Sequence, residues 1–68
     1  MKQVSGKEFC KILERCGWVL RRVNGSHHIF TKDDRIERLS VPVHGNKPLK
    51  TGLLKALMKV AGLNEGDL

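Results

Sequence analysis

Three histidines, His27, His28 and His44, together with an excess of Lys and Arg, are the residues of this chain whose types could do chemistry. Imidazole titrates near neutral pH, so it can take a proton from a ribose 2′-hydroxyl and later supply one to a leaving oxygen. Arginine and lysine can stabilise the phosphate charge that builds up between those two steps. RNA carries its own nucleophile, so such a site needs neither a metal nor any other cofactor. Other chemistries find no support in the sequence. There is no Gly-rich phosphate loop, no GxSxG elbow and no paired carboxylate, and Asp33-Asp34 reads as a turn. The histidines and cysteines do not have zinc-type spacing, and no metal site is expected. His27 and His28 are adjacent on what reads as a strand, so they point to opposite faces and cannot share one site.

The background that would position these groups is small and basic. Sixty-eight residues, 40% of them hydrophobic, suffice for one domain over 1–68. They leave no room for separate nucleotide-binding and catalytic domains. No apolar run reaches the length of a membrane span, and the N-terminal residues do not resemble a signal peptide, so a cytoplasmic protein is expected. Cys10 and Cys16 lie six apart in a helical pattern, a poor spacing for a disulfide, and read as reduced thiols. The formal net charge is +6, which points to a polyanionic partner, RNA or DNA. The excess is concentrated early: residues 1–24 hold six basic side chains, Lys2, Lys7, Lys11, Arg15, Arg21 and Arg22, against two acidic ones.

The element order follows from periodicity and punctuation. Ser5 and Glu8 have the spacing of a capping box. After them Phe9, Ile12, Leu13 and Cys16 form one helical stripe, and Gly17 supplies a stop. Trp18–Val23 suits a strand, Asn24-Gly25 a type I′ hairpin turn with both residues at positive φ, and His27–Lys32 the returning strand. A polar turn at Asp33-Asp34-Arg35 leads to a third strand, 36–43, with Leu39, Val41 and Val43 on one face. Pro42 lacks the N–H that a central strand needs, so this strand belongs at an edge. The run Arg35-Ile36-Glu37-Arg38-Leu39 breaks alternation and predicts a bulge or a late strand start. Thr51 is the expected N-cap of a second helix with Leu54, Leu57, Met58 and Ala61 on its apolar stripe and Gly62 as its stop. Residues 64–68 read as a frayed tail or a single turn. The expected fold is therefore α+β, α-β-β-β-α, with two helices packed on one face of a three-stranded antiparallel sheet.

The pattern Gly17-Trp18, Arg21-Arg22, Gly25-Ser26-His27-His28-Ile29-Phe30, Val41-Pro42-Val43-His44-Gly45, Leu49-Lys50, Leu54 and Ala61-Gly62-Leu63 resembles the HicA (YcfA-like) family of toxins over about residues 4–65. The resemblance implies a double-stranded-RNA-binding-domain-like fold, in agreement with the order read from the residues. It also implies the toxin of a type II toxin–antitoxin pair: a ribosome-independent mRNA endoribonuclease neutralised by a HicB-like antitoxin. On this resemblance a histidine of the Gly-Ser-His block is catalytic, His27 first and His28 second. Strand alternation leaves the choice open, because His28 faces out if Ile29 is core and His27 faces out if Phe30 is core. Gly25 and Ser26 would shape the turn and contact phosphate. Arg21, Arg22 and Lys50 are the candidate RNA-binding side chains, with only one of the neighbouring arginines expected on the RNA side. Trp18 reads as core, and His44 as support for its loop. The alternative function is a non-catalytic RNA-binding module of the same fold.

Overall fold

The computed structural model of the protein describes residues 3–68; Met1 and Lys2, the latter one of the basic residues counted above, lie outside the described residues. In chain order the elements are α1 (Gly6–Arg15), β1 (Val19–Asn24), β2 (His27–Lys32), β3 (Arg35–Pro42), α2 (Thr51–Ala61) and a short 3-10 turn (Glu65–Asp67). The strands are antiparallel in the order β1-β2-β3, and both helices lie on one face of the sheet. The expected α-β-β-β-α fold is the observed one. The Pro42-bearing strand is at an edge, where the missing N–H costs no ladder bond.

The Ser5 side chain starts α1 by accepting from the Glu8 amide at 3.1 Å. The Ser5 hydroxyl in turn donates to the Glu8 carboxylate at 3.2 Å, so Glu8 reaches back to the cap side chain rather than to the backbone N–H of the expected capping box. Phe9, Ile12 and Leu13 from the predicted stripe are buried, and Cys16 packs against the same core. Each fully buried side chain of this size contributes about 1.5–3 kcal/mol. The helix ends as Gly17 takes φ +94, with Gly17 N–H on the Glu14 carbonyl and Trp18 N–H on the Leu13 carbonyl. This pair of bonds is a Schellman motif. Trp18 does not enter the strand; it is 2% exposed and fills the space under the sheet, and β1 begins one residue later.

The helices are joined at their N-terminal ends. Leu49 N–H donates to the Val4 carbonyl at 2.8 Å, and Ser5 bridges to Pro48. The first residue of α2 is Thr51, so the cap position falls to Lys50, whose side chain makes no capping bond; Thr51 is not the cap. Leu54, Leu57, Met58 and Ala61 are all buried, and Gly62 at φ +74 ends the helix as expected. Arg35, at the start of β3, donates to the Val60 carbonyl and so pins the β2–β3 hairpin to the last turn of α2.

The β1–β2 turn differs from expectation. Asn24 pairs with His27 as the last residue of β1, and only Gly25 has positive φ (+61). Gly25-Ser26 is thus the two-residue loop, and positive φ at its first position alone is the pattern of a II′ turn rather than I′. Two irregularities interrupt the ladders. One adds Arg21 between the pairs Leu20–Phe30 and Arg22–Ile29. The other lies between the pairs Phe30–Leu39 and Lys32–Arg35, in the stretch where the sequence breaks alternation. Among the described residues no helix is long and apolar enough to cross a membrane.

Candidate active site on the open sheet face

The facing of β2 separates the two histidines. Phe30 is 1% exposed and points into the helix-covered core, so His28 lies on its side of the sheet, and His27, Ile29 and Thr31 lie on the open face. His28 is half-buried, level with Val23 and Val41, and its Nδ1 is buried without a hydrogen-bond partner. His27 is exposed. Its Nδ1 lies 3.2 Å from Ser40 Oγ on the neighbouring strand. When Nδ1–H donates to that oxygen, Nε2 holds the free lone pair and is the nitrogen available to accept a proton. Ser40 was not among the residues singled out from the sequence. Its only signal is a small polar residue between Leu39 and Val41, which core alternation places on the open face.

The turn before His27 is built to stay open. A Cβ at Gly25 would meet nothing within 4 Å, so it is the positive φ, not crowding, that requires glycine there. The Ser26 carbonyl accepts from Val43 N–H at 2.7 Å, extending the β2–β3 ladder one residue beyond Pro42. His27 is thereby fixed at the corner of the sheet.

The arginines depart from the expectation that only one would face the RNA side. The extra residue at Arg21 breaks the alternation of β1, and both Arg21 and Arg22 line one recess of about 330 Å³ with Ile29, Thr31 and Arg38. Arg21 Nε donates to Thr31 Oγ1 at 2.8 Å, which holds its guanidinium over β2. Arg38 was missed from the sequence, where it looked like part of an irregular strand start. Ile29, two residues from His27 on the same face, lines the recess. About 7 Å of strand separates the two positions.

Lys50 is not part of this group. It lines a second recess of about 420 Å³ with Pro42, His44, Lys47, Pro48, Leu49 and Leu53. Pro42 is the register partner of His27, so the second recess opens on the other side of the histidine from the arginines. A recess of comparable size, about 450 Å³, lies between the α1 residues Glu8, Lys11, Ile12 and Arg15 and Leu68. α1 covers the opposite face of the sheet from His27, so size does not identify the site here. Among the described residues no three His, Cys, Asp or Glu side chains come together as a metal-binding group.

An exposed imidazole held at one nitrogen, with basic recesses on both sides, has the makings of a proton-transfer site for a phosphodiester. No curated protein matches the chain. The sequence profile of the family described as the HicA toxin of bacterial toxin–antitoxin systems matches residues 6–63, from the first residue of α1 to just past the glycine that ends α2. That span contains every element of the sheet, both helices and all three histidines, and the chain belongs to the HicA toxin family.

Proposed function

We propose that this HicA-family chain is a metal-independent, ribosome-independent endoribonuclease acting on mRNA, with His27 as its acid–base residue, and that a HicB-like antitoxin neutralises it. The observation that carries this reading is the placement of His27: exposed on the open face, held at Nδ1 by Ser40, two residues along β2 from Ile29 in the Arg21–Arg22–Arg38 recess. His27 Nε2 accepts the 2′-hydroxyl proton, the 2′-oxygen attacks phosphorus, and the bond to the 5′-oxygen breaks to leave a 2′,3′-cyclic phosphate. The guanidiniums hold the neighbouring phosphates and offset the charge that develops. His28, on the core side, supports the strand from beneath. Gly25 and Ser26 present the turn beside the histidine, where the open space over Gly25 admits a backbone phosphate.

The test is cleavage by purified protein in EDTA. RNA is expected to be cut to cyclic-phosphate ends, and a single 2′-deoxy substitution at the mapped position should abolish the cut, since DNA lacks the attacking group. His27→Ala should remove the activity while leaving the fold intact. RNA bound but never cut by the wild type would instead favour the non-catalytic RNA-binding module.

A further inference from the structure

In-line displacement places the entering 2′-oxygen and the leaving 5′-oxygen on opposite sides of phosphorus. An imidazole tied at Nδ1 to Ser40 presents one nitrogen, on one side. The leaving oxygen therefore needs its proton from another group. Resting on the ribonuclease reading above, we propose that His44 is this general acid, paired across the β2–β3 ladder with His27 as the base.

The placement follows from the register. His27 and Pro42 are Cα partners, and the Val43 N–H bond to the Ser26 carbonyl carries the ladder one residue further. Leu39 and Val41 are buried and Val43 packs against the same core, so Ser40 and Pro42 lie on the open face with His27, and His44, two residues beyond the end of β3, lines one recess with Pro42. Pro42 is both the register partner of His27 and a wall of the recess that His44 lines, which brings the two histidines to the same corner of the sheet. His44 is exposed, and its carbonyl accepts from Lys47 N–H at 3.1 Å, closing the turn that follows. Gly45 at φ +59 carries the chain away from the face directly after it. The charged groups lining the recess with His44 are Lys47 from its own turn and Lys50 at the start of α2, and no carboxylate lines it. Those two lysines are placed to hold the phosphate on the 3′ side of the cut, as the three arginines hold phosphates on the other.

In the step, the O2′–H bond breaks and its proton passes to His27 Nε2 as the O2′–P bond forms. The P–O5′ bond breaks, and its electron pair takes the proton of the His44 imidazolium. Charge and protons balance with no co-reactant, and proton exchange with water resets both rings.

The experiment compares two RNA oligonucleotides that differ at one mapped cleavage position, with either the natural 5′-oxygen or a 5′-bridging sulfur. A thiolate leaves without being protonated, so the sulfur substrate needs the base but not the acid. His44→Ala is expected to slow the oxygen substrate about 100-fold or more, the usual scale of general acid catalysis, and to leave the sulfur substrate within about threefold of wild type. His27→Ala should slow both. His44→Gln, which keeps the size and polarity of the side chain, should behave as His44→Ala does. Equal slowing of both substrates, or of neither, overturns the assignment. A wild type that cuts neither substrate overturns the ribonuclease reading itself.

Discussion

At the scale of single residues, the functional weight rests on what holds His27 rather than on the histidine alone. The Ser40 hydroxyl is its only side-chain partner among the described residues. One such hydrogen bond is worth about 1 kcal/mol, so Ser40→Ala is expected to lower kcat about five- to tenfold with little change in KM, and Ser40→Thr to restore it. A loss confined to KM would mean that Ser40 binds substrate instead of orienting the ring. The two neighbouring histidines are separable by growth: expressed alone, the chain should arrest cells, and His27→Ala should relieve the arrest. His28→Ala should stay toxic as long as it folds. Toxicity retained by a folded His27→Ala would remove the histidine from the mechanism. Cys10 offers a different check, on the core. Burial, and then the nearby Glu14 charge, push its thiol up to about 11 from 9.0. The folded chain therefore holds this proton after the unfolded chain has lost it, and the contribution to stability declines as pH rises from about 9 towards about 11. The difference in unfolding free energy between wild type and Cys10→Ala should shrink over that window. Alkylation followed by mass spectrometry should label the half-buried Cys16 well before Cys10.

Among the elements, the helices and the central strand were legible because their signals are local. The stripe Phe9-Ile12-Leu13, the stops at Gly17 and Gly62, the edge position of the Pro42 strand and the bounds of β2 all stand as the residues imply. What the sequence left open or missed depends on contacts that a linear pattern does not carry. Ile29 and Phe30 are both apolar, so alternation alone could not orient His27 and His28; the packing of Phe30 under the helices decides it. Nothing in Val19-Leu20-Arg21-Arg22-Val23-Asn24 marks the extra residue at Arg21 that brings two arginines to one recess. Gly6 is a third case, silent in sequence and tightly constrained in space. A Cβ there would run into the Pro42 carbonyl oxygen and meet Val43 Cα at 3.2 Å. The first turn of α1 thus rests directly on the end of β3, beneath the Pro42 that pairs with His27. Alanine would favour the helix by about 1 kcal/mol at most. A backbone oxygen cannot rotate away, however, and forced shifts of this kind cost about 1–3 kcal/mol. Gly6→Ala is therefore expected to lower Tm by several degrees, at about 4–8 °C per kcal/mol for a domain of this size. It should also cut activity beyond what the stability loss explains, because the clash displaces the strand that sets the His27 register. An unchanged Tm would show that the close approach is not rigid.

The molecule as a whole divides its tasks between the two faces of one sheet. A domain of this size buries roughly 60% of the surface that its unfolded chain exposes. The helix-covered face takes the large apolar side chains, leaving the open face free for charge. Arg21, Arg22 and Arg38 sit on one side of His27 and Lys47 and Lys50 on the other, so substrate binding is expected to be largely electrostatic. For a single strand the logarithm of affinity should fall with the logarithm of salt by about 0.7 per neutralised phosphate. Since Arg21 and Arg22 share one recess, Arg21→Ala and Arg22→Ala should each weaken binding and flatten that slope by about one contact. Lys50→Ala should do the same on its own, and combined with either arginine variant its effect should add, because the two recesses are separate. The pair Arg21→Ala with Arg22→Ala should instead depart from additivity, because neighbouring guanidiniums in one recess are close enough to couple. His27→Ala should bind RNA with the wild-type slope and fail only at cleavage. The measurement is RNA affinity across a salt series for these variants. If His27→Ala loses affinity as the arginine variants do, the histidine is holding substrate rather than moving protons. A slope unchanged in the arginine variants would place the RNA on another surface, with the basic face of α1 at Lys11 and Arg15 the next to neutralise.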